Sequence, residues 1–225
     1  MISVSDDAMN AFERRGLPFR DAFDSSFDEI IRVGPLAYDE SLRLLNRRVV
    51  GLTEPFVAFC HCLSGGLSRD LIRAARSVIR TGLALPDGTA ALESICAEVI
   101  QEELRSKARA IVESAREHPT AMEVLDLLHG LAHRDVMRPT QEVLKSMLSR
   151  PLGGPALEFA TYAYFCATLG EVFTDGLTAD RVRSSPIFDD LAAARHAFAL
   201  DTRLAWRLIS SIRQGWALSV LEAPD

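Results

Sequence analysis

Lysine is nearly absent from this chain. Of 25 basic residues only Lys107 and Lys145 are lysines, and the rest are arginines. With abundant alanine, that bias points to a GC-rich coding sequence more than to a binding surface. Neither lysine follows a glycine, so the G-x-x-x-x-G-K-[ST] loop that cradles phosphates is missing. No strand-like apolar run ends in the acidic pair of a Walker B motif. A Gly-rich dinucleotide loop, a Ser-His-Asp pattern and a Cys-His nucleophile pattern are absent as well. Aromatic residues are few, at 7%, which suits helices packed through aliphatic side chains. No apolar run reaches the ~18 residues of a membrane-spanning helix, and no signal peptide opens the chain. The net charge of −6 offers no basic field to nucleic acid. Only four cysteines occur, Cys60, Cys62, Cys96 and Cys166, each inside an apolar helical pattern. They read as reduced core thiols of a cytosolic protein. The expectation is a cytoplasmic chain with no membrane and no nucleic-acid partner.

What is present is helical periodicity. Apolar residues recur at helical spacing over Tyr38–Val50, Glu54–Leu63, Ser68–Arg80, Thr89–Arg116, Ala121–His133, Thr140–Leu148, Ala156–Phe173, Pro186–Ala199 and Thr202–Leu218. Two breaks punctuate the chain, Pro86-Asp87-Gly88 and Pro151-Leu-Gly-Gly-Pro155. The helix from Ala156 is apolar nearly all round, which implies burial in a bundle, with a docking surface for a partner helix as the alternative. Near the N-terminus, Met1–Ser5 reads as the end of a strand and Glu29–Val33 as a short strand. The fold class expected is mainly α, with a short α/β segment at the N-terminus.

The stretch around Gly65-Gly66 organises the rest. Phe56, Val57, Phe59, Cys60 and Leu63 form an apolar face that the two glycines end, because glycine adopts left-handed backbone freely. Ser68 is placed to cap the next helix. That helix sets Arg69, Arg73 and Arg76 on one side and Leu71, Ile72, Ala75 and Ile79 on the other. Two weaker constellations compete for a metal. His129 and His133 are spaced i, i+4, but no Glu follows His129 and no third ligand is evident, so helix-surface or interface histidines are the alternative. Cys60-His61-Cys62 offers ligand types, but adjacent helical residues point in different directions.

The order of elements resembles the C-terminal part of AAA+-like P-loop NTPases, especially the STAND and KAP groups. The resemblance covers about residues 1 to 80. It rests on Val4-Ser5-Asp6-Asp7, the Glu13–Phe23 run, Ile30–Val33, Pro35-Leu36, Asp39-Glu40, Leu44-Leu45 and the Gly-Gly-x-x-Arg-Asp-Leu-Ile-Arg turn. By that likeness residues 1–36 are the residual end of an NTPase core, 37–82 a helical lid and 89–225 a C-terminal helical bundle. Ser5 takes the sensor 1 place and Arg69 the sensor 2 place. Arg15 and Arg20 are arginine-finger candidates, with salt bridges to Asp21, Asp24 or Asp28 as the alternative. Walker A and Walker B are both missing, so the resemblance implies a chain that begins inside the core: a fragment, a late-start product or half of a split ATPase. It implies no catalysis alone. ATP and Mg2+ bind only when a Walker-containing protein partner completes the site, and a protein partner or homo-oligomer is expected. A stand-alone helical adaptor with no nucleotide link is the other reading.

Overall fold

A computed structural model of the protein describes residues 34–85, 91–114, 122, 144–145, 152, 154–198 and 200–221. The described residues form eight helices and no strand. The mainly α class expected from the sequence is therefore what the chain adopts. The N-terminal α/β segment, the Ser5, Arg15 and Arg20 sites, and the His129 and His133 pair lie outside the described residues. The helices expected between 121 and 148 fall almost wholly outside them too.

The helices are α1 (Tyr38–Asn46), α2 (Glu54–Ser64), α3 (Ser68–Ala84), α4 (Leu92–Ser114), α5 (Gly154–Val172), α6 (Ala179–Arg183), α7 (Ile187–Ala197) and α8 (Thr202–Gly215). Six of them close a cycle of neighbours: α2 on α3, α3 on α4, α4 on α5, α5 on α8, α8 on α7, and α7 back on α2. Helices α1 and α6 lie against α2. Residues on both sides of the Pro86-Asp87-Gly88 break thus share one hydrophobic core, with Phe59 of α2 edge-on to Phe173 just past α5 at 5.3 Å.

Two helices have almost no solvent face. In α2 every residue from Val57 to Ser64 is buried, and in α5 every residue from Phe159 to Leu169. Burying one Phe, Leu or Val side chain contributes about 1.5–3 kcal/mol, so these two helices anchor the cycle. The others are amphipathic. In α3 the buried stripe is Leu71, Ala74, Ala75, Val78 and Thr81. Ile72 and Ile79 are half-buried at its flank, so the apolar face is rotated slightly from the one read in the sequence.

Several helix ends differ from the sequence reading. Helix α1 stops at Asn46, short of Val50. Val49 and Val50 are β-branched and precede Gly51, a poor helical run, and Val50 is fully exposed, with nothing to pack against. Ser68 does not cap α3: it is the first helical residue, and Leu67 holds the cap position without a side-chain bond. Helix α5 starts earlier than expected, at Gly154, with Pro155 in the first turn where its missing N–H costs nothing. The short helix α6 was not read from the sequence. Thr178 marks it, accepting the Arg181 amide at 3.4 Å.

Candidate functional site

The turn from α2 to α3 is built by glycine twice over. Gly65 and Gly66 have φ of 63° and 73°. The Gly66 N–H donates to the His61 carbonyl and the Gly65 N–H to the Cys62 carbonyl, a Schellman stop for α2. Space is the second constraint. A Cβ on Gly65 would meet the Ala192 carbonyl oxygen and the His196 nitrogen of α7 at 3.3 Å. The turn is therefore clamped between α7 and the segment leading into α1. Arg69 follows in the first turn of α3. Arg69, Arg73, Arg76 and Arg80 are all exposed, along the face of α3 away from its buried stripe. Arg80 pairs with Glu102 of α4 at 2.7 Å and Arg73 approaches Asp70 at 3.6 Å. Among the described residues Arg69 has no ion pair.

A second cluster was not legible in the sequence. His61 lies in the middle of α2 with its side chain 1% exposed. Its Nδ1 is 2.9 Å from the Ser41 hydroxyl of α1, and its Nε2 is 3.3 Å from Asp189 Oδ1 of α7. The sequence reading found no Ser-His-Asp pattern, because these residues come from three helices far apart along the chain. A carboxylate only accepts, so the favoured tautomer carries its proton on Nε2, and Nδ1 accepts from Ser41. The Nε2 approach to Asp189 lacks hydrogen-bond direction and is an electrostatic contact, leaving Nε2 unpaired. Burial pushes the His61 pKa down, opposed by the Asp189 charge. The trio is not a nucleophilic triad: Ser41 is completely buried, so no substrate reaches its oxygen.

Around this trio the chain brings more polar groups together. The Tyr38 amide donates to Asp189 Oδ1 at 3.0 Å, and the Tyr38 ring stands edge-on to His61. The Tyr38 hydroxyl donates to Glu54 at 3.4 Å, and Arg183 of α6 holds both Glu54 oxygens. Burial, then the Glu54 charge, push the Tyr38 hydroxyl far above its ordinary pKa, so it stays a donor. Asp189 of the trio, with Tyr38, Asp39, Arg183 and Ser185, lines a groove of about 370 Å3. Cys60 and Cys62 are wholly buried, with thiols pushed up in pKa by desolvation. They are not reactive. Among the described residues no group of three His, Cys, Asp or Glu side chains is arranged to hold a metal.

No family model, no curated protein and no solved structure matches the chain. The site must be read from its own chemistry. No helix among the described residues is long and apolar enough to cross a membrane.

Proposed function

We propose that this chain is a non-catalytic regulatory portion of an AAA+/STAND/KAP-like ATPase, acting by nucleotide sensing and protein contacts. The setting of Arg69 carries the reading. It is exposed, unpaired among the described residues, and delivered by a turn that packing from two sides makes rigid. A guanidinium held that way is suited to contact a phosphate offered by another body. Ser5, Arg15 and Arg20 join it in this reading, while ATP and Mg2+ arrive only with a Walker-containing partner.

Alone, the chain has too little to bind ATP. One exposed arginine–phosphate contact contributes about 1–3 kcal/mol, whereas micromolar binding needs about 8 kcal/mol. Calorimetry of the isolated chain with ATP and Mg2+ is expected to show no micromolar binding, and repurified chain no turnover. In a complex with a Walker-containing partner, Arg69→Ala is expected to lower turnover while leaving the melting temperature unchanged. Unchanged turnover would favour the second reading, a helical adaptor. That reading draws support from the single core that joins residues before and after the Pro86-Asp87-Gly88 break.

A further inference from the structure

Four arginines stand in one row on α3. Arg69, Arg73, Arg76 and Arg80 follow at i, i+4, i+7 and i+11. At 3.6 residues per turn that spacing keeps them within about 60° around the helix axis and spreads them over about 16 Å. All four are exposed, in a chain whose 31 acidic residues outnumber its 25 basic ones. Like charges at these spacings repel, and Arg69 also sits at the positive end of the helix dipole. Little inside the chain relieves this. Arg69 and Arg76 have no ion pair among the described residues. Arg73 only approaches Asp70, at 3.6 Å, and Arg80 and Glu102 are each more than half exposed, so water screens that pair.

Two neighbours extend the row. Leu83 lies three residues past Arg80, on the same side of α3, and is 84% exposed. Arg195 of α7 stands beside the N-terminal half, its stem within 3.3 Å of the place a Gly65 Cβ would take. The Arg195 guanidinium lies over the Tyr162 ring at 5.4 Å and has no ion pair among the described residues. Its Nε is buried and unpaired, although buried polar atoms are nearly always paired. The charges of Arg195 and Arg73 both reach the Tyr162 hydroxyl, where Glu103 opposes them. Cations without partners are thus gathered along one helix, and an exposed leucine ends their row.

We infer that this row docks an acidic helix of a partner protein, with carboxylates at i, i+4, i+7 and i+11 facing the four guanidinium groups and an apolar residue covering Leu83. Charge complementarity names the partner. A helix with carboxylates at that spacing presents a straight row of the same length, and a guanidinium can hold a carboxylate through two N–H donors. Leu83 offers an apolar contact that a phosphate backbone does not match. The net charge of −6 opposes a long polyanion more than one short acidic helix. No phosphate takes part, so the docking stands or falls apart from the nucleotide reading.

The test is a low-salt titration of the full chain into a capped, dye-labelled, alanine-rich helical peptide, read by fluorescence anisotropy. The peptide carries Glu at i, i+4, i+7 and i+11 and Leu one turn beyond each end. Saturable binding is expected, weakened by added salt. A peptide of the same composition, with its glutamates distributed around the helix, is expected to bind about tenfold more weakly. The double variant Arg73→Gln with Arg76→Gln should lose about tenfold and Leu83→Ser about threefold. Arg207→Gln, an exposed charge on α8, should change nothing. Arg73, Arg76 and Leu83 are exposed, so these variants keep the fold. Absence of saturable binding overturns the inference. So does equal binding of the two peptides, or an unchanged affinity in the double variant. Tighter binding of a single-stranded oligonucleotide of equal charge overturns it as well, and assigns the face to nucleic acid.

Discussion

The carbonyl of Gly66 accepts the Leu36 amide at 2.8 Å, and a Cβ on Gly66 would lie 2.5 Å from the Leu36 carbonyl oxygen. The turn that aims Arg69 and the strap that leads into α1 are thus in contact through bare backbone.

A side chain at position 66 has to displace that strap and also hold a positive φ. The two effects cost about 1–3 kcal/mol each, so Gly66→Ala is expected to destabilise by about 2–6 kcal/mol in urea unfolding. Gly65→Ala meets its neighbours at 3.3 Å and is expected to cost less, about 1–3 kcal/mol. Equal costs at the two positions would mean that backbone conformation alone, and not the Leu36 contact, sets the requirement.

Acid should weaken the fold through His61. Its folded pKa lies below the ordinary value of 6.5 because burial disfavours the charged ring. As pH falls through 6.5 the unfolded chain takes up a proton that the folded chain refuses, so stability declines. It levels off once pH passes below the folded pKa. Urea midpoints from pH 8 to pH 5 in wild type and His61→Gln read this directly. The wild type is expected to lose more stability over that range. A parallel decline in both would remove His61 as the cause.

Among the described residues Arg213 of α8 is the most deeply buried charge. Its Nε donates to the Ser219 carbonyl at 2.7 Å, Nη1 to the Thr168 hydroxyl at 3.0 Å, and Nη2 to Glu171 at 2.9 Å. The guanidinium lies over the Tyr164 ring, whose hydroxyl accepts the Leu221 amide at 3.1 Å. Removing a partner from a buried pair costs about 3–5 kcal/mol. Arg213→Ala is expected to lose that much and to free residues 218–221, seen as loss of hydrogen-exchange protection at Leu221. Arg213→Lys should not rescue it, because an ammonium cannot serve three separate acceptors in this fork. Full protection at Leu221 in Arg213→Ala would show that the tail is held by packing alone.

Arg69 and Arg213 show how differently one residue type can be used. Nothing in the local sequence distinguishes Ser-Arg69-Asp from Ile-Arg213-Gln as exposed or buried at that level of detail. Helical spacing sets Arg69 opposite Leu71 and Ala75, and that much is readable, although it puts Ile72 and Ile79 in the apolar face where the structure buries Ala74 and Val78. Arg213 falls near the buried side of α8, with Ala205, Trp206, Ile209 and Ile212, and its acceptors come from α5 and from the tail.

What the chain's sequence determined by itself is local. Apolar residues at a 3.6-residue period make helices, glycine and proline end them, and the spacing of arginines lays a charged face along α3. Each of these depends on neighbours within a few residues. The meeting of Tyr38 with Asp189, 151 residues apart, was decided only by tertiary structure. So were the place of His61 between Ser41 and that carboxylate, and the groove that Tyr38 and Asp189 border. Periodicity reveals which face of a helix avoids water, but not which other face it meets. In α2, buried on every side, even that signal is lost.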